Sequence, residues 1–295
     1  MACYREEVFW FSNPLFSEDL VPVSYLLTME NSPRRDSYLE QLNEYRPTRK
    51  VVVLHNKGWK HCKKPAWVTN SAYDLWHANL EVTNRTTGRV LVLEDDVQFL
   101  PNIRHDVAEV EEFLRRMKDT KDTKDTKDTK DKTFFYTLGL RLIYTATRKS
   151  DLENHLRVII GADAHAILYN NIEALTPPTN PNPFHDVHVF SSLHGYTYKR
   201  PLAIQHAEAT ENSKAYDPFR IVSYLNNIVG DENLFSLVHS ASPYGGLFVI
   251  SLVVLLTLYF VTMKLNAQGL SHVILLILII FSLVFFQSEH RISIL

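Results

Sequence analysis

Residues 246 to 286 are almost entirely apolar, whereas residues 1 to 245 carry nearly all of the chain's charge. No single folded core reconciles those two parts. "GLFVISLVVLLTLYFVTM", Gly246 to Met263, has no charged residue, and "LSHVILLILIIFSLVFF", Leu270 to Phe286, has none either, with His272 near its edge. A core helix needs a polar face, and neither stretch has one. Each is close to the minimum length that crosses a bilayer at ~1.5 Å per residue. A two-helix transmembrane hairpin at 246–286 is therefore expected, with a short tail at 287–295. A channel or transporter is disfavoured, because neither span has an ionisable residue at mid-membrane.

Two crossings place the preceding domain and the tail on the same side. "MACYREEVFWFSNPLF" sets Glu6 and Glu7 before a short apolar patch, where a secretory signal needs a basic start and a longer apolar core. Loop charge decides little, since Lys264 in the connector competes with Arg291 in the tail. The domain is accordingly expected to face the cytosol. Its two cysteines, Cys3 and Cys62, make neither a disulfide framework nor a zinc site and are expected as reduced thiols. The sequon Asn84-Arg85-Thr86 is expected to stay unmodified, because glycosylation requires lumenal entry. A formal charge of −2 gives no basic surface for nucleic acid.

The charged part alternates strand-like and helix-like patterns. Strands are expected at "VPVSYLLTM" (21–29), "KVVVLHN" (50–56), the run from Val90, "FFYTLGL" (134–140) and "RPLAIQH" (200–206). Between them, helices are expected after Asn31 or Ser32, with Pro33 in the first turn, over 70–84, and from Ile103 to Met117. The stripe Tyr38, Leu39, Leu42, Tyr45 marks the first, and Ala72, Leu75, Trp76, Leu80 the second. "VIIGADAHAILYNNIEAL" (158–175) reads as a glycine turn, a short strand and a helix. This order predicts an α/β layer with a mostly parallel sheet over 21–245, preceded by an extension at 1–20. The period-three repeat "KDTKDTKDTKDTKDK" at 118–132 has no apolar residue to bury and reads as a solvated insertion.

One strand ends abruptly: "VLVLEDDVQF" runs from four apolar residues into Glu94, Asp95 and Asp96. In open α/β sheets ligands bind beyond the carboxyl ends of the strands. Three adjacent carboxylates repel unless a cation offsets them, and hard oxygen ligands suit Mg2+ or Mn2+ with a nucleotide diphosphate. An aspartyl-nucleophile phosphatase is disfavoured, because Glu94 and Gln98 stand where it needs Asp and Thr or Val. "NPFHDVHVF" offers Asp186, between His185 and His188, as a candidate base for an acceptor hydroxyl. The alternatives there are a loop acid beside packed histidines, or a metal set of all three.

In series, "VSYLLTMENSPRRDSYLEQL", "VLVLEDDVQF", "GADAHAILY" and "YKRPLAIQHAEATENSK" resemble glycosyltransferase family 25, the lipopolysaccharide-type enzymes related to collagen galactosyltransferases. The resemblance covers about residues 20 to 216 and is nearest to divergent viral or protist versions. It implies a GT-A-like, Rossmann-like nucleotide-sugar-binding fold, Mn2+ or Mg2+, and inverting transfer from a UDP-sugar to a glycan, lipid-linked or protein acceptor. Carried over, Asp96 and Asp95 are metal ligands; apart from the resemblance, His206 after the last strand is a further candidate ligand, the alternative being a packed histidine. Glu94, Asp95, Arg34, Arg35 and Gln205 meet the donor. Gly161, Ala164 and His165 line the acceptor side, and Thr210 to Ser213 belong to the closing segment. One departure stands out: the Ser-His pair that many members carry on the preceding helix is replaced by "TNSAYDLWHANLE", where Asn70, Ser71, Trp76 and His77 lie. An inactive scaffold or binding module is the rival reading.

Overall fold

The computed structural model describes residues 2–119, 133–139, 146–149, 154–160, 165–177 and 193–205, with isolated positions between 255 and 277. Its strands are β1 (Tyr4–Trp10), β2 (Val23–Met29), β3 (Lys50–Asn56), β4 (Val90–Glu94), β5 (Val97–Phe99), β6 (Phe134–Thr137), β7 (Ala146–Lys149), β8 (His155–Ile160), β9 (Ala166–Tyr169), β10 (His194–Tyr198) and β11 (Ala203–Gln205). Three helices join the first of them: α1 (Arg35–Tyr45), α2 (Ser71–Thr83) and α3 (Ile103–Asp119).

β3 and β4 are runs of Val and Leu because both faces of the sheet are covered. Alternation along each strand sends Leu26, Val51, Val53, Leu91 and Leu93 to one face, where α1 and α3 pack through Tyr38, Leu42, Val110 and Phe113. The neighbouring Tyr25, Leu27, Val52, Leu54, Val90 and Val92 face Ala78 and Val82 of α2 on the other side. α1 stops at Arg46, whose left-handed backbone lets its N–H reach the Leu42 carbonyl, and Pro47 follows. α2 starts on Asn70, whose side chain accepts the Tyr73 N–H.

The large sheet runs β1-β3-β2-β4-β9-β6-β10-β8-β7, and β5 pairs with β11 in a second, small sheet. β2 is parallel to both β3 and β4. From β2 the chain crosses by α1 to β3, then returns by α2, past β2, to β4. After β4 the chain continues by β5 and α3 to β6 on the far side, so the connections leave β2 and β4 in opposite directions. That is the switch point of a doubly wound sheet.

Several expectations change. The sheet is mixed rather than mostly parallel, because β9 runs antiparallel to both β4 and β6, and β8 to both β10 and β7. The helix expected toward residue 175 is a single 3-10 turn, Ile172–Ala174, after β9. The N-terminal extension supplies β1, an edge strand antiparallel to β3. In α2 the buried face is turned: Asp74, Trp76, Ala78, Asn79 and Val82 are inside, while Ala72, Leu75 and Leu80 are partly covered. Asp74 causes the turn. It accepts from Asn56 Nδ2 and the Trp59 N–H, each at 3.1 Å, and pairs with the buried Lys64 ammonium. Burying an unpaired carboxylate would cost far more than half-exposing a leucine. The expected membrane hairpin lies almost wholly outside the described residues, and among those described no helix is long and apolar enough to cross a membrane.

The cysteines are not free thiols. Cys3 and Cys62 form a disulfide with Cα atoms 5.5 Å apart. The β1–β3 ladder sets Tyr4 opposite Asn56, which brings Cys3 beside the loop that follows β3. Pairing closes a loop of 59 residues. Such a closure restricts the unfolded chain by about 4 kcal/mol in the chain-entropy account. Cys62→Ser should lower unfolding stability by about 2–4 kcal/mol in denaturant titration, with a matching loss when the parent is reduced.

Candidate functional site

Parallel pairing sets Leu27 of β2 opposite Glu94 of β4, so both strands open at the same end. Asp95 and Asp96 form the turn that carries the chain from β4 into β5. Asp95 draws three segments together. Thr28 Oγ1 and Ser32 Oγ donate to its Oδ2 at 2.7 and 2.6 Å, and Arg34 donates to its Oδ1 at 2.9 Å. The same guanidinium nitrogen stands 3.9 Å from Asp96 Oδ2. Asp96 is buried, and Glu94 is half-buried. These contacts answer the repulsion posed by the sequence: Arg34 and two hydroxyls offset the adjacent carboxylates.

β9 and β11 complete the surroundings. The Glu94 N–H donates to the carbonyl of the buried His165, at 2.9 Å, just before β9 begins. Gln205, the last residue of β11, lies opposite Val97, one residue beyond Asp96. The approach of β11 requires glycine at 139, since a Cβ there would sit 1.8 Å from the Ala203 carbonyl oxygen and 3.1 Å from His165 Nε2. The Leu138 carbonyl accepts from the N–H groups of both Leu202 and Ala203.

The start of α3 fastens the same strand. Arg200 grips the buried Asp106 through two hydrogen bonds of 2.7 Å, and Asn102 Nδ2 donates to Asp106 and to the Pro201 carbonyl. The Leu100 N–H donates to the Leu202 carbonyl. The segment ahead of Gln205 is thus held from both sides.

Of the residues singled out in the sequence, Arg34, Glu94, Asp95 and Asp96 meet at one place, with the His165 carbonyl and the β11 register beside them. Arg35 does not join them; its guanidinium bonds Glu7 of β1. His77 bonds the Tyr4 hydroxyl at 2.6 Å and packs on Tyr4 and Trp67. Burial draws its pKa below the usual value. Gly161, Ala164, His185, Asp186, His188, His206 and the 210–213 stretch lie outside the described residues. Sequence reasoning missed Thr28 and Ser32. Their one signal was a threonine near the end of an otherwise buried apolar strand, and a serine two residues before the Arg pair. Asn31 or Ser32 was expected to cap α1, yet the N-cap is Arg34 without a side-chain cap bond, and the Ser32 hydroxyl serves Asp95 instead.

No known family model matches the chain, and no curated protein matches it. As arranged, the turn does not fit a resident divalent ion: both Asp95 oxygens are engaged, and Arg34 takes the place a dication would fill. Among the described residues no three His, Cys, Asp or Glu side chains gather as a ligand set.

Two outcomes test this geometry. Thr28→Val keeps the shape but removes one bond to a charged acceptor, and should cost about 1.5–3 kcal/mol of unfolding free energy. The second concerns Asp106. Burial acts to raise its pKa, but hydrogen bonds from Arg200, His105 and Asn102 outweigh that and hold the carboxyl below its usual value. A carboxyl depressed on folding stabilises above its unfolded pKa, about 3.9, and loses that stabilisation as pH falls through the folded value. Acid titration of the unfolding midpoint should show this loss below about pH 4 in the parent, and a smaller one in Arg200→Gln.

Proposed function

We propose that this domain binds a nucleotide sugar, a UDP-sugar, at the open end of β2 and β4 and transfers the sugar to a glycan, lipid-linked or protein acceptor. One observation carries the reading: the acidic turn occupies the switch point of a doubly wound sheet, where such sheets hold their ligands. The fold is then GT-A-like, and the four motifs resembling glycosyltransferase family 25 add support from the sequence.

Glu94 and Asp95 bind the nucleoside and ribose side of the donor in this reading. Arg34 exchanges part of its pairing with Asp95 for the donor diphosphate, whose geometry suits a guanidinium fork. As the acceptor hydroxyl attacks the anomeric carbon, the bond to diphosphate breaks, and Arg34 lies close enough to offset the charge that develops. Asp186 takes the hydroxyl proton, a role carried by the sequence alone. A Mn2+ or Mg2+ ion on Asp95 and Asp96, which the resemblance implies, would have to displace Arg34 from Asp95. The apolar stretches at 246–286 anchor the domain, which raises its effective concentration toward a membrane-bound acceptor.

A second reading, a binding module without turnover, draws on the full engagement of Asp95, which ties segments together rather than awaiting a ligand. Thermal unfolding with a panel of nucleotide sugars, with and without Mn2+, separates these. A donor at a hundred times its Kd adds about 2.7 kcal/mol of stability. One UDP-sugar should raise the midpoint and be hydrolysed, and Glu94→Gln and Asp96→Ala should lose both effects. A midpoint rise without hydrolysis favours the binding module, and no rise with any nucleotide sugar sinks the donor site.

A further inference from the structure

Two features far apart in sequence bear on the compartment in which the domain folds. The first is the Cys3–Cys62 disulfide, which fastens β1 to the loop after β3. Disulfides of this structural kind form and persist in oxidising compartments, where a thiol–disulfide oxidant accepts the two electrons and two protons released, whereas cytosolic thiols are kept reduced. The second is Asn84-Arg85-Thr86, an acceptor triplet without proline at its centre. Asn84 is the C-cap of α2, exposed in the turn that leads toward β4. Its amide Nδ2 lies at the surface and donates a long hydrogen bond, 3.4 Å, to Glu81 Oε1. A group attached there extends into solvent.

The position also leaves the candidate site clear. Asn84 precedes the first residue of β4, and the acidic turn follows its last. Five residues of strand separate the two ends by roughly 15 Å.

We infer that Asn84 carries an N-linked glycan and that the domain folds in the lumen of the secretory pathway. The cytosol-facing orientation expected from the sequence is thereby inverted. The acceptor step is a glycosyl transfer from a polyprenyl-diphosphate-linked oligosaccharide. Asn84 Nδ2 loses one proton and bonds the anomeric carbon, while the bond from that carbon to the diphosphate oxygen breaks and the diphosphate leaves with the electron pair. The inference does not depend on what the domain itself binds.

The test uses the full chain expressed in mammalian or insect cells, read by the mass of the membrane-fraction protein. The parent should carry extra mass that an amide-cleaving glycosidase removes, leaving aspartate at 84. Asn84→Gln and Thr86→Ala should lack it, and Thr86→Ser should keep it. Alkylation without reductant should label neither cysteine, and both should label after reduction. Lys124→Asn, which completes a second acceptor triplet with Asp125 and Thr126 in the polar repeat, should add a second glycan. Extra mass in Lys124→Asn alone, at its new triplet, would refute the Asn84 site. No glycan in either protein, with both thiols alkylated directly, would place the domain in the cytosol and overturn the inference entirely.

Discussion

The carboxylate of Asp95 is the constraint on which the working end of this domain depends. It is largely buried, and a buried carboxylate without partners would cost several kcal/mol. Its three partners come from the end of β2, the loop behind it and the entry to α1. Satisfying one charge therefore fixes the chain on both sides of the β2–β4 boundary. It also positions Asp96 and Glu94 on either side, because the turn between β4 and β5 is tied at its centre.

A second buried acid does the same at longer range. Asp106 begins α3 and holds Arg200, 94 residues later in sequence. That pair lays the 200–202 segment beside Leu100, and β11 follows in register against β5. Asp95 and Asp106 share one structural role. Both convert the cost of burying charge into position, which is what a binding crevice between separate segments requires.

Much of the first half of the fold was legible. The apolar run 50–56 is β3 residue for residue, α3 begins at Ile103 as its pattern requires, and Asn70 caps α2. The acidic motif could be assigned to a strand end, but not to the switch point, because strand order is a tertiary property. β1 escaped notice since an edge strand may carry Arg5, Glu6 and Glu7 at no cost, which blurs its apolar pattern. The turned face of α2 was hidden because Asp74 is buried by partners from β3 and its following loop. The hydroxyls of Thr28 and Ser32 look like those of any turn until Asp95 is brought beside them. Two cysteines 59 residues apart give no pairing signal without the β1–β3 register.

The loop that holds Cys62 also packs against the end of β2. It has no regular element, and three separate devices fasten it: the disulfide, the buried Lys64–Asp74 pair, and Asn56 Oδ1, which accepts from the Gly58 N–H and Lys64. Gly58 takes a left-handed backbone, and a Cβ there would meet Met29 Cε at 2.9 Å. Met29 is the last residue of β2, directly after Thr28, and its side chain leaves the opposite face of the strand, so the loop packs against the end of β2 on the α2 side. A loop held only by a buried ion pair would carry the full desolvation cost of that pair. The disulfide lowers the entropy of the competing unfolded states instead, so the loop is kept in place without demanding more of Lys64 and Asp74. An oxidising compartment would then do more than permit the crosslink. It would supply part of the rigidity of the loop packed against the end of β2.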